Sequence, residues 1–199
     1  KFTLFSLLMI WVMPGISQKK MLTHEDYDGW KQISGTAISN DGNYVHYTID
    51  PNRGDGRLYI ENIESNITFN YARGSNAQFT FDSRYAVFVI KPPLDSVRQA
   101  KLNKKKEEAL PKDSICIVKL SDNQIYKYDR VKSYKLPEEG TDWLAFLLEK
   151  PLPKKDTAEE KSEKDQVYAV KAEEKKEKPE GNDLMILHLP TQDTFRYER

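Results

Sequence analysis

A single cysteine, Cys116, stands in the 199 residues. An internal disulfide is therefore excluded, and so is any metal site built on a cysteine pair. Histidine is scarce as well, with His24, His46 and His188 the only three. Net charge is absent, because 31 lysines and arginines face 31 aspartates and glutamates. A balanced chain without a basic block has no means of neutralising a row of phosphates, so nucleic acid is set aside as a partner. No Gly-rich loop cradles a phosphate, and no serine sits in a Gly-x-Ser-x-Gly nucleophile elbow. Long apolar runs are also missing, with one exception at the N-terminus.

That exception follows Lys1. From Phe2 to Met13 the chain is apolar for about a dozen residues, short of the roughly 20 that a membrane span needs. Pro14-Gly15-Ile16-Ser17 then places small residues ahead of Gln18. A basic start, an apolar middle and a small-residue exit are the three parts of a secretory signal peptide, expected over residues 1–17. The expected location is secreted or periplasmic, with no stable membrane span after cleavage. Charged residues make up 31% of the chain and the mean hydropathy is -0.73, so much of the charge lies in solvated segments.

Beyond a linker and lead-in strand (residues 18–36), the chain repeats itself. Ala37-Ile38-Ser39-Asn40-Asp41-Gly42-Asn43-Tyr44-Val45-His46-Tyr47 is matched by Ala77-Gln78-Phe79-Thr80-Phe81-Asp82-Ser83-Arg84-Tyr85-Ala86-Val87-Phe88. Asp41 answers to Asp82 and Tyr44 to Tyr85, a spacing of about 41 residues, the length of a propeller blade. A weaker third copy runs from Leu136 to Phe146, with Trp143 and Phe146 in the places of Tyr44 and Tyr47. In each copy a short strand enters a polar turn and an alternating strand leaves it. Third strands are expected at Arg57–Ile63, Ile115–Leu120 and Leu184–Leu189. Short fourth strands are expected at Ile67–Phe69, Ile125–Tyr128 and Thr194–Tyr197. Four strands per unit, in tandem, describe an all-β partial β-propeller of about three blades over residues 37–199. A β-sandwich also has short strands and regular turns, but its strands have no reason to recur as units. Three blades do not close a ring, so further blades are expected after Arg199.

Two charged insertions interrupt the pattern. Residues 95–112, bracketed by Pro92-Pro93 and Pro111, have the composition of a short helix. Residues 153–182 are nearly all Lys, Glu, Asp and Ala, and are expected to stay solvated or disordered.

The scattered candidates for chemistry have plainer readings. Cys116 lies in the apolar run Ser114–Leu120 and reads as core filler. His46 and His188 fall within strands, and His24 lacks a spaced second ligand beside Glu25 and Asp26. Glu138-Glu139 is a turn pair, and Asn66-Ile67-Thr68 fits a glycosylation sequon. No catalytic, cofactor-binding or metal-binding residue is assigned, and no cofactor is expected.

Tyr27-Asp28-Gly29-Trp30, Ile38-Ser39-Asn40-Asp41-Gly42, Leu58-Tyr59-Ile60 and Thr141–Pro151 together resemble the opening of exported prolyl oligopeptidase-family (dipeptidyl-peptidase-like) serine peptidases of Bacteroidetes-type bacteria. The resemblance spans roughly Leu22 to Arg199. It implies a non-catalytic N-terminal propeller gating access of short peptide substrates to a C-terminal α/β-hydrolase domain in the same parent chain. The family's catalytic triad matches no position here. The alternative from a different class is a periplasmic TolB-like binding or assembly propeller with no enzymatic domain.

Overall fold

The structure, a computed structural model, describes residues 21–150 and 181–198. Residues 1–17, expected from the sequence to be a signal peptide, and nearly all of the second insertion lie outside the described residues. Among the described residues a short helix, α1 (His24–Asp28), precedes twelve strands. They are β1 (Lys31–Ile38), β2 (Tyr44–Pro51), β3 (Arg57–Asn62), β4 (Ile67–Ala72), β5 (Gly74–Phe79), β6 (Tyr85–Ile90), β7 (Ser114–Lys119), β8 (Gln124–Asp129), β9 (Val131–Lys135), β10 (Trp143–Leu148), β11 (Leu184–His188) and β12 (Thr194–Tyr197). Helix α2 (Leu94–Leu102) and a 3-10 turn at Glu107–Ala109 fill the first insertion.

Each run of four strands forms one antiparallel sheet in chain order: β1-β2-β3-β4, β5-β6-β7-β8 and β9-β10-β11-β12. The third strand of one sheet packs on the first strand of the next, β3 on β5 and β7 on β9. Repeated up-and-down meanders stacked in sequence are propeller blades, and the chain is an all-β partial propeller. The lead-in strand is the first strand of the first blade, from Lys31 onward. It breaks register between Ser34 and Ala37, around Gly35 at φ +56°. The second blade repeats the break between Ser75 and Gln78, around Asn76 at φ +49°. Asparagine tolerates that region better than most residues, which lets the bulge recur without glycine.

Successive strand residues point to opposite faces, so burial reports which faces are covered. In the middle blade β6 and β7 are buried at every position but the last. Ala86, Phe88, Cys116 and Val118 meet Leu58 and Ile60 of the first blade. Tyr85, Val87, Ile115 and Ile117 meet Leu144, Phe146 and Leu187 of the third. The outer two blades are buried on one face only. In β2, His46 and Thr48 are buried toward the second blade, whereas Val45, Tyr47 and Ile49 turn the other way and are part-exposed.

Candidate functional site

The recurring turn is a hydrogen-bonded device. The Ser39 hydroxyl donates to the Asp41 carboxylate and accepts from the Tyr44 N–H at 2.9 Å. In the next blade the Thr80 hydroxyl donates to Asp82 at 2.6 Å and accepts from the Tyr85 N–H at 3.1 Å. Gly42 and Ser83 take the left-handed position at φ +75° and +57°. Multiple donors hold the Asp41 and Asp82 carboxyls below the ordinary range, although partial burial pushes the other way. These turns also join the blades. Asn40 Nδ2 donates to the Phe81 carbonyl at 2.9 Å, the Asp41 N–H to Ser83 Oγ at 3.2 Å, and Arg84 links Asp82 to Asp142 of the third blade. This end of the molecule is a structural clasp.

Chemistry-bearing variety gathers at the opposite end. There the second and third strands of each blade are joined, by residues 52–56, 91–113 and 149–183 in turn. Connections of unequal length on a repeated scaffold are where binding surfaces are built. The blade-to-blade corners lie at this end too. Arg73 and Arg130 both stand at φ +60°, immediately after β4 and β8. Arg73 Nε donates to the Lys91 carbonyl at 3.0 Å, and the Arg130 guanidinium donates to the Lys150 carbonyl. Each arginine thus ties its corner to the end of the next blade's second strand.

Between the first two blades at this end is a cleft of about 380 Å³, lined among others by Asp50, Asp55, Arg73, Ser75, Lys91 and Asp113. That volume lies in the small-ligand range. Asp50 accepts from the Ser34 hydroxyl at 2.7 Å. Asp55 accepts from the Leu94 N–H at 3.0 Å and so caps α2, whose own N-cap residue, Pro93, offers no side chain for the purpose. Burial raises the Asp113 carboxyl, with Lys91 and Lys112 opposing and Glu149 reinforcing. The lining mixes carboxylates with two cations, and its one hydroxyl is Ser75, whose Oγ is buried without a hydrogen-bond partner. This arrangement can hold a small polar or zwitterionic group. It pairs no nucleophile with a base.

The residues singled out from the sequence do not converge. His24 opens α1 and tilts against Tyr27 at 6.4 Å. His188, on β11, places Nδ1 2.8 Å from Thr191 Oγ1 and lies 4.6 Å from the Trp143 ring. His46 is buried between the first two blades, its ring 5.0 Å from that of Phe79, and neither nitrogen has a hydrogen-bond partner. Burial pulls its pKa below the ordinary value; the Gly35 backbone acts the other way without closing a hydrogen bond to the ring. Cys116 is buried in β7, and burial pushes its thiol up to about 12. Among the described residues no group of three or more His, Cys, Asp or Glu could hold a metal ion. No helix among them is long and apolar enough to cross a membrane. Asn66 of the sequon is exposed, at φ +55° in the β3–β4 hairpin.

The Tyr27–Trp30 segment closes on the first blade. Asn52 Nδ2 donates to the Tyr27 carbonyl and the Asn52 N–H to the Trp30 carbonyl, both at 2.8 Å, and Arg53 pairs with Asp28 at 3.4 Å. Sequence reading missed the corner arginines and the cleft. The cleft is assembled from residues as distant as Asp50 and Asp113, and an arginine at positive φ carries no local cue.

No family model matches the chain, and no curated protein matches it. Solved structures are similar to it at low identity. The β-propeller domain of the Trilobed protease from Pyrococcus furiosus gives a TM-score of 0.46 at 12% identity, covering 85% of this chain and 43% of that one. The acylaminoacyl peptidase of Pyrococcus horikoshii gives 0.47 at 14%, covering 87% and 26%. A eukaryotic initiation factor gives 0.43 at 11%, covering 86% and 34%. The chain thus spans less than half of each, and likenesses at this level assign no activity.

Proposed function

We propose that the chain is the non-catalytic N-terminal propeller segment of an exported serine peptidase, one that gates the access of short peptides to a C-terminal α/β-hydrolase domain. The observation that carries this reading is the set of three tandem blades in which the family-like segments fall at structurally defined places. Tyr27–Trp30 is fastened to the β2–β3 connection, the Asp41 turn forms half of a clasp, and Trp143–Leu148 is the second strand of the third blade. A rigid clasp at one end and variable connections at the other suit a filter that admits small peptides and excludes folded proteins. The C-terminal hydrolase domain is the partner this role requires, and a secreted or periplasmic location follows from residues 1–17. The test is fluorophosphonate labelling of the native protein, captured by an antibody against this segment. A labelled band several times the size of this chain is expected. An unlabelled band would overturn the peptidase reading and leave the binding propeller in its place.

A further inference from the structure

The first two blades differ at one repeated place, and the difference opens onto the cleft between them. In the first blade Ser34 stands opposite Thr48, and its hydroxyl donates to Asp50, two residues further along β2. Ser75 holds the same ladder place in the second blade, opposite Val89. Two residues on from Val89 is Lys91, so a cation stands where the first blade has a carboxylate. The Ser75 hydroxyl therefore loses its acceptor, and its Oγ is buried with no hydrogen-bond partner. An unpaired buried hydroxyl costs free energy that a bound acceptor would recover.

Other groups that line the same cleft also lack partners. Arg73 spends its Nε on the Lys91 carbonyl, and its Nη groups make no hydrogen bond among the described residues. Ile90 stands opposite Ser114, which puts Lys91 and Asp113 across from each other at the end of the β6–β7 ladder. Among the described residues the two nevertheless close no ion pair, and the part-buried Asp113 carboxylate accepts no hydrogen bond. Leu94 and Val97, one turn apart on α2, add an aliphatic wall. Around a space of about 380 Å³ the lining thus offers a hydroxyl and two cations in want of an acceptor, and a carboxylate in want of a donor.

We infer that this cleft binds a free α-amino acid or dipeptide with an aliphatic side chain, its carboxylate on Ser75, Lys91 and Arg73 and its ammonium on Asp113. A zwitterion meets both wants at once with charge-assisted hydrogen bonds. A plain carboxylate would leave Asp113 unmet, and a plain amine would leave Ser75 without an acceptor. With Asp50, Asp55 and Asp113 against Arg73 and Lys91, the lining carries three carboxylates to two cations, which also disfavours a simple anion. Because the walls come from both blades, the bound zwitterion ties the first blade to the second. The inference needs no hydrolase domain and is independent of the peptidase assignment.

The test uses the protein at its full natural length, treated first with fluorophosphonate so that no serine hydrolase centre consumes the probes. Leucine and alanyl-leucine are titrated by calorimetry, each beside its N-acetyl form, which lacks the ammonium, and its amide, which lacks the carboxylate. At least one zwitterion should bind, the tighter of the two naming the source, and its masked forms should bind about tenfold more weakly or worse. Ser75→Ala removes an unpaired hydroxyl and so spares the fold; it should weaken the zwitterion about tenfold and leave the amide unchanged. Lys91→Gln, a change to an exposed side chain, asks the same question if Ser75→Ala does not fold. Asp113→Asn should weaken the zwitterion and leave the N-acetyl form unchanged. No binding of either zwitterion, equal binding of the masked forms, or affinities that ignore all three substitutions would each overturn the inference. A protein that binds the zwitterion but resists fluorophosphonate loses only the peptidase reading. A labelled protein that binds neither zwitterion loses only the cleft.

Discussion

Replacing Phe88 with alanine tests how the first two blades are held together. Phe88 is fully buried, packs among Leu58, Ile60, Cys116 and Val118, and meets the Tyr71 ring at 4.8 Å and 44°. Its removal takes away the transfer free energy of a phenyl ring and leaves a void between the first and second sheets, each fixed by its own backbone ladder. Such substitutions cost ~3–5 kcal/mol. For a chain of this size, that corresponds to a fall in Tm of about 6–20 °C. Ile125→Ala is the matched control, because Ile125 is 50% exposed on β8 and forfeits only about half of a side-chain burial, ~1 kcal/mol. Urea unfolding of the two variants and the parent, with the slope checked for constancy, separates the cases. A Phe88→Ala loss no greater than that of Ile125→Ala would refute the packing of the first blade on the second.

Three further outcomes follow from the same structure. Gly74→Ala is expected to cost ~1–3 kcal/mol, since a Cβ there would lie 2.7 Å from Leu58 Cβ; Gly42→Asn, in open space at φ +75°, should change the urea midpoint little. His46 is held below its ordinary pKa of 6.5, so the unfolded chain takes up the proton first and stability falls as pH drops through about 6.5. His46→Val, which copies Val87 of the second blade, should remove that part of the acid sensitivity, and parallel pH curves for parent and variant would contradict it. Cys116, with its thiol pushed up to about 12, should ignore a thiol reagent in the native state and react once unfolded; prompt native reaction would mean that β7 is not covered on both faces.

The strands were legible where a polar turn fixed their ends. Asp41-Gly42 and Asp82-Ser83 announced two hairpins at one spacing because the same side-chain-to-backbone bonds close both. The first insertion gave up its helix through its flanking prolines, and α2 runs from Leu94 to Leu102. The full extent of β1 was harder to read, because Lys31-Gln32-Ile33-Ser34-Gly35-Thr36 is polar and broken by a bulge. The third turn was weak in sequence because Leu136–Thr141 lacks the Ser/Thr–Asp pair, and the clasp there relies on Arg84 reaching Asp142 instead. What no local pattern could give is the set of long-range polar contacts: the Tyr71–Asn123 and Tyr128–Gln192 hydrogen bonds, and the cleft between Asp50 and Asp113. Those depend on how one sheet is set against the next. Sequence periodicity describes each sheet singly.

The most direct measurement of the functional account is to map the fluorophosphonate-labelled serine by peptide mass spectrometry in the native, full-length protein. The account predicts one labelled serine outside residues 1–199, within a Gly-x-Ser-x-Gly elbow, and none of the serines in the blades modified. A label on a serine of this chain would contradict it and make the cleft beside Ser75 an active site in its own right.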